Sequence, residues 1–291
     1  AIFLLLWSAG FPVARICLEF AEPMTFLAVR YGFVLVILAP LFIILRPPLP
    51  QAAADWLHLV VTGFLIQVVY FGFCYLAFAL GESAGTVALI VSLQPILVAL
   101  LAPRLAGETV GGRRWVGLVC GLAGAALVIL ARSTAGMSSL LGVTLTVLAL
   151  LGISAGALYE KRFGSGQHPV TANLVQYGVG LLGTLPFALA MESGRVEWTG
   201  EFILSLAYLV IANSIISITL LLAMIRHGEV SRVSALFFLV PPLAALLSWA
   251  MLGEAIQLLA WPGIILAALG VALASWNGRA RKSVLSPSGQ Q

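Results

Sequence analysis

The sequence predicts an all-α polytopic membrane protein with ten transmembrane helices, arranged as two inverted five-helix repeats. Three observations carry that expectation. Of the 291 residues, 61% are hydrophobic and only 9% charged, against about 25% charged in a soluble domain. Apolar runs of about twenty residues recur from end to end, each long enough to cross a hydrocarbon layer about 30 Å thick as a helix. A sparse set of Pro, Gly, Glu and Trp residues is also written twice, at an offset of 146 residues. Barrel strands would alternate apolar and polar residues over about ten positions, and these runs are continuous.

Charge clusters, prolines and glycines delimit the spans at roughly 1–19, 24–46, 54–80, 83–103, 113–131, 138–160, 169–192, 202–226, 229–252 and 257–277. The third is a turn or more longer than a bilayer requires, which predicts tilt. Cys17, Cys74 and Cys120 lie inside apolar runs, with no CxxC and no metal-ligand spacing, and read as packing residues. The sequence opens inside an apolar run without a basic n-region or cleavage site, so its start reads as truncated or disordered and not as a signal peptide. Residues 280–291 read as a disordered basic and polar tail.

Lys and Arg set the orientation. If residue 1 faces the cytoplasm, that side receives Arg46, Arg104, Arg113, Arg114, Lys161, Arg162, Arg226, Arg232, Arg279, Arg281 and Lys282. The other side receives Arg132, Arg195 and Arg15. Both termini are therefore expected to be cytoplasmic. The net charge of +4 reads as topology, and nucleic-acid binding, which needs a basic face in water, is not expected.

The repeat is the most informative feature. Gly107-Glu108, then Trp115 and Gly117, match Gly253-Glu254, Trp261 and Gly263. The same offset pairs Pro95 with Pro241, Gly124 with Gly270, and Ser8-Ala9-Gly10 with Ser154-Ala155-Gly156. It pairs Pro23 with Pro169, Tyr31-Gly32 with Tyr177-Gly178, and Pro40 with Pro186. Chance matches between apolar helices give Leu and Ala identities, not a registered set of Pro, Gly, Glu and Trp. The halves are 1–132 and 138–279. Five spans per half is odd, so the second copy starts on the opposite side of the membrane. Inverted repeats are a recurrent plan of secondary transporters.

The duplicated five-span unit, the paired G-E and W-x-G segments and the first-span W-S-A-G-F-P (Trp7 to Pro12) resemble the drug/metabolite transporter superfamily, in particular its EamA-domain exporters. The resemblance covers residues 1–279. It implies a secondary transporter that exports small metabolites, amino acids among them, from bacteria by alternating access through a central cavity. Within the superfamily the sequence is similar to YddG-type exporters of aromatic and neutral amino acids. It further implies a bacterial inner-membrane location, a small-molecule substrate, a lipid bilayer around the protein and no cofactor.

Individual residues admit more than one reading. Arg30 lies about 10 Å into the second span at 1.5 Å per residue, and its repeat mate is the uncharged Gln176. Either it faces the pathway and attracts a substrate carboxylate, or it snorkels outward or pairs with Glu22 or Glu82. Arg15 has Glu19 at i+4, the spacing of a helix-end ion pair. Gln67 and Asn213 are mates, as are Ser8 and Ser154; Gln94 precedes Pro95, and Ser217 shares a helix face with Asn213. Buried amides need partners, so these side chains either tie helices together or line a polar cavity. Trp7, Phe11, Tyr70, Phe71, Tyr75, Phe237 and Phe238 either stack on a substrate ring or pack. Pro95, Pro241 and Pro242 interrupt matching helices and are candidate hinges.

The G-E pairs read as helix ends, with Gly in a left-handed cap and Glu at the positive end of the next helix. Gly117/Gly121 and Gly152/Gly156 form GxxxG pairs that let helices approach; packing within the fold, hence a monomer, is the expectation. No GxxxxGK[ST] or H-E-x-x-H occurs, so neither direct ATP drive nor a zinc centre of that kind is expected. With no carboxylate placed at mid-membrane, the expectation is a weakly coupled or uncoupled facilitator. The alternatives are export of a drug or nucleotide-sugar and a membrane-embedded enzyme. A nucleotide-sugar would want several intramembrane cations, and no catalytic constellation assembles at one depth.

Overall fold

The structure, a computed structural model, describes residues 2–82, 87, 90–132, 139–164, 167–228, 230–243, 246–247, 258 and 260–275. The second G-E corner, Gly253-Glu254, and the tail 280–291 lie outside these residues. The helices in chain order are α1 (Ile2–Phe20), α2 (Pro23–Leu45), α3 (Ala53–Ala79), α4 (Gln94–Leu105), α5 (Gly112–Arg132), α6 (Leu140–Phe163), α7 (Pro169–Met191), α8 (Gly200–His227), α9 (Val230–Ala235) and α10 (Ala260–Ser275). Six of them, α1, α2, α3, α6, α7 and α8, are long and apolar enough to cross a membrane. Among the described residues the only β feature is an isolated antiparallel bridge between Ala21 and Val196. The protein is an all-helical, multi-pass membrane protein.

Local chemistry fixes the helix ends. Pro23 and Pro169 open α2 and α7, where the missing N–H costs nothing. Ser139 Oγ accepts from Gly142 N at 2.9 Å and Thr199 Oγ1 from Phe202 N at 3.1 Å, capping α6 and α8. The N-terminus of α2 is held from afar: Glu192 accepts from the backbone N–H of Met24 (2.8 Å) and Thr25 (2.6 Å). Gly107 adopts φ +67°, the left-handed conformation expected of a helix stop.

Glu108, however, does not serve the helix that follows it. Its carboxylate accepts from Val230 N (2.6 Å), Ser231 N (3.2 Å) and Ser231 Oγ (2.7 Å). The positive end it neutralises is that of α9, more than a hundred residues away. Two further ion-pair expectations are corrected. Arg15 and Glu19 are both exposed and make no ion pair, since water solvates each more cheaply than a helix-end contact. Arg30 does not meet Glu22 or Glu82, whose carboxylates accept instead from Ser193 and Ser139.

Two long helices change their winding midway. α3 is π-helical over Phe64–Tyr70 and α8 over Leu209–Ser217, stretches that coincide at the 146-residue offset. Gln67 and Asn213 occupy the same place in each. A π turn misaligns backbone carbonyls, and here two buried tyrosines meet them. Tyr31 Oη donates to Gln67 O at 2.8 Å and Tyr177 Oη to Ser214 O at 2.7 Å. The π turn also advances less along the axis per residue, so it takes up part of the extra length read from α3.

Helices related by the 146-residue offset meet antiparallel. Met24 of α2 lies beside Glu192 at the far end of α7, while Thr171 at the start of α7 bonds Pro48 O beyond the end of α2. The rings of Tyr31 and Tyr177 pair between them at 5.5 Å. In α5 and α10, a Cβ on Gly117 would lie 2.7 Å from Gly270 O, and one on Gly124 would lie 2.6 Å from Gly263 O. Only glycine permits this backbone contact, and the register is antiparallel. α1 packs on α8, and α6 packs on α3. Gly152 and Gly156 let α6 approach Val69 and Ile66 of α3, so both GxxxG pairs pack within the fold.

The proline sites sit at backbone breaks. The chain turns at Ser92-Leu93 before α4 restarts at Gln94-Pro95, and a 3₁₀ stretch, Leu236–Leu239, precedes Pro241-Pro242.

Candidate functional site

The site lies where α1, α3 and α8 converge. Gly10 on α1 faces Asn213 on α8; a Cβ there would collide with the Asn213 amide. That absence of a side chain brings the π-helical stretch of α8 against α1. Tyr208 Oη and Asn213 Nδ2 both donate to Leu6 O, at 2.9 and 3.4 Å, and fasten the two helices.

A cavity of about 30 Å³ remains between them, lined by Trp7, Gly10, Phe11 and Ala14 of α1, by Tyr70, Phe71, Cys74, Tyr75 and Phe78 of α3, and by Asn213. Its wall is an aromatic box. Trp7 stacks on Tyr70 at 6.5 Å and 11°, meets Phe71 at 6.1 Å, and takes Phe237 edge-on at 5.6 Å. The Trp7 indole N–H is buried and has no hydrogen-bond partner, which leaves a donor for a guest. The space holds a water or two and is too small for any metabolite. A guest therefore requires these helices to part.

Arg30 is the charge of the site. It is fully buried, donating from Nε to Ser214 Oγ (2.8 Å), from Nη2 to Asn213 Oδ1 (2.7 Å) and from Nη1 to Tyr75 Oη (3.3 Å). Its Cζ lies 5.0 Å from the Phe71 ring centre, within cation–π range. Among the described residues no carboxylate pairs with it. A guanidinium has five N–H donors, and three are used. Outward snorkelling is thus excluded. Burying such a cation costs about 2.5–3.5 kcal/mol on insertion scales, offset here by three neutral acceptors and one ring.

The sequence-predicted residues divide into three groups. Trp7, Phe11, Tyr70, Phe71 and Asn213 line the cavity, with Arg30 and Phe237 directly behind them. Ser8, Gln67 and Gln94 are buried, and Ser8 Oγ, Gln94 Oε1 and both side-chain polar atoms of Gln67 have no partner. Ser154 and Ser217 return their hydroxyls to Leu150 O and Ala212 O of their own helices and lie off the cavity. Ser214 escaped the sequence reading; its signal was adjacency to Asn213 in a span interior. Gly10 and Phe78 escaped too, because a glycine and a phenylalanine in an apolar helix carry no mark of their role.

Two ends close the bundle differently. At the end that carries Glu22, a vestibule of about 510 Å³ is lined by Glu19, Glu22, Phe78, Ser193, Arg195 and Glu197 among others. Phe78 lines both this vestibule and the central cavity. The opposite end is tied by charged groups. Glu160 is buried and accepts from Arg226 Nε and from Thr62 Oγ1 (3.2 Å). Arg226 also donates to Gln167 O at 2.9 Å, and Lys161 donates to Gly228 O. His58 stacks on Phe163 at 5.0 Å and bonds Tyr159 Oη at 2.8 Å beside them. Among the described residues no three His, Cys, Asp or Glu side chains converge as metal ligands would.

The comparisons with known proteins agree with this architecture. A solved crystal structure matches with a TM-score of 0.79 at 20% identity over 94% of both chains, a likeness of fold. An uncharacterized transporter of Bacillus subtilis, YvbV, is 25% identical over 97% of this chain and 92% of its own. A probable amino-acid metabolite efflux pump of Escherichia coli is 26% identical over 97% of this chain and 95% of its own. The EamA-like transporter family profile matches residues 1–130 and 140–276. An all-helical membrane bundle that buries a cation beside a cavity thus sits within a set of transporters, and the chain belongs to the EamA-like transporter family.

Proposed function

We propose that this protein exports small amphipathic metabolites, foremost amino acids including aromatic ones, by alternating access between two inverted five-helix halves. ATP plays no direct part, and flux runs down the solute gradient. The observation that carries the reading is Arg30, a buried cation with no counter-ion among the described residues, held against an aromatic-lined cavity. A carboxylate can take its two remaining N–H groups, while Trp7, Phe11, Tyr70 and Phe71 accept an apolar side chain. The name of the E. coli relative, a probable amino-acid metabolite efflux pump, supports the same direction and solute class.

Support for the inverted halves comes from the antiparallel pairs α2/α7 and α5/α10, from the two π stretches at one offset, and from the two segments matched by the family profile. The ten spans then run from a cytoplasmic N-terminus, and the end holding Lys161, Arg162 and Arg226 faces the cytoplasm. In this reading the structure is closed inside and faces outward through Phe78. The breaks before Pro95 and Pro241-Pro242 serve as hinges. The protein works as a monomer in a bacterial inner membrane.

Transport into and out of reconstituted vesicles, with Arg30→Gln beside the parent protein, tests this. Losing a charge-assisted contact worth about 1.5–3 kcal/mol raises KM for an aromatic amino acid about 10- to 150-fold. The decarboxylated amine of the same side chain, which lacks the group Arg30 recognises, is unaffected. Equal losses for both solutes would remove Arg30 from the binding site.

A further inference from the structure

Gln67 on α3 and Gln176 on α7 are both fully buried, and all four of their side-chain polar atoms lack a hydrogen-bond partner among the described residues. Leaving a buried donor or acceptor unmet costs about 1–3 kcal/mol each, so two such amides in one interface require an explanation. They share that interface: a Cβ on Gly63 would lie 2.7 Å from Gln176 Cα, and one on Gly180 would lie 2.8 Å from Gln67 Cβ.

At the 146-residue offset Gln176 is the mate of Arg30, and Gln67 is the mate of Asn213. Arg30 and Asn213 are bonded here, Nη2 to Oδ1 at 2.7 Å. The twin pair, Gln176 and Gln67, stands unbonded. One symmetric pair is made, and its counterpart is broken.

We infer that Gln67 and Gln176 form that missing bond when the protein faces the other way, and that the Arg30–Asn213 bond opens in exchange. The inference rests on the alternating-access reading above: exchanging the conformations of two inverted halves exchanges their contacts. Glutamine is shorter than arginine, so its helices must come closer to bridge the same gap. Gly63 and Gly180 stand where the Arg30 interface has Leu209 and Val34, and they permit that approach. The exchange also frees the guanidinium for a guest as the Asn213 amide leaves it.

The test follows accessibility rather than transport. Two single-cysteine reporters are built after replacing Cys17, Cys74 and Cys120 with Ala. Phe78→Cys lines the vestibule and the cavity; Met224→Cys is its mate near the opposite end. Each is labelled by a membrane-impermeant maleimide added to its own side, first without solute and then with an aromatic amino acid. Gln67→Leu and Gln176→Leu each remove the bond of the alternative state, so Met224→Cys labelling falls about fivefold relative to Phe78→Cys, the factor equivalent to one net hydrogen bond of about 1 kcal/mol. Asn213→Leu shifts the ratio the opposite way. Should one leucine variant fail to fold, the other removes the same bond and gives the same reading.

An unchanged ratio in the glutamine variants, while Asn213→Leu still shifts it, overturns the exchange and leaves alternating access standing. A ratio that no variant and no solute moves overturns both.

Discussion

Arg226→Met is the perturbation whose size the structure determines best. The Glu160 side chain is 1% exposed and that of Arg226 13%. The substitution keeps the aliphatic stem and removes the guanidinium, so Glu160 retains only the Thr62 hydroxyl in a place that water barely reaches. Gln167 O loses its donor as well. Breaking one side of a buried ion pair costs about 3–5 kcal/mol, and the partial solvent contact of Arg226 places this pair at about 3. For a chain of this size each kcal/mol corresponds to about 2–4 °C. The expected fall in apparent Tm is therefore about 6–12 °C, measured in detergent at one fixed scan rate. Combining Arg226→Met with Glu160→Gln removes the orphaned charge and restores more than half of the loss. A double variant as unstable as the sum of the two single changes would refute the argument, because independent groups add and coupled ones do not.

Other consequences are smaller and local. Gly124→Val drives a side chain into the Gly263 and Ala267 backbone and lowers stability by about 1–3 kcal/mol, whereas Gly178→Ala, with nothing within 4 Å, leaves the melting curve in place. Glu108→Ala removes three bonds from the start of α9 and costs about 0.5–2 kcal/mol as a lost cap; hydrogen exchange at Val230 and Ser231 accelerates while α1 exchanges as before. Tyr177→Phe strips the donor from Ser214 O in the π stretch of α8 and costs about 1 kcal/mol, with added exchange confined to residues 209–217.

The membrane class and most helix positions were legible in the sequence because lipid leaves a helix little choice. Every backbone polar group must be satisfied within the segment, so an apolar run of sufficient length dictates its own structure. The π stretches were not legible. Their only trace was the surplus length of the third span, read as tilt; the change in winding depends on Tyr31 and Tyr177, which reach in from other helices. The destination of Glu108 was hidden for the same reason: sequence shows a carboxylate near a helix start, not which helix start. Arg30 stands out by its depth, but its partners Ser214 and Tyr75 come from α8 and α3, and no local pattern names them. The Glu160–Arg226 pair was present in the sequence only as charges on one side.

The repeat and the chemistry obey different rules. Residues that build the scaffold keep their mates: Tyr31 and Tyr177, Gly117 and Gly263, Gly124 and Gly270, Pro95 and Pro241. The aromatic residues around the cavity do not. Trp7, Phe11, Tyr70, Phe71 and Tyr75 have as mates Ile153, Ala157, Ile216, Ser217 and Leu221. The aromatic box and its cation belong to the first half, and the second half contributes the amide of Asn213 and the hydroxyl of Ser214. Exchange of conformations needs halves of similar backbone energy, which the shared glycines, prolines and π turns supply. Recognition needs the opposite, since a guest with a charged end and an apolar end cannot match a site that looks the same from both halves. Symmetry in the backbone with asymmetry at the cavity is the arrangement that satisfies both requirements. Under the proposed function, solute selectivity lies in α1, α2 and α3, so exchanging their cavity residues for those of a relative should alter the solute while leaving the helix packing of α5 and α10 intact.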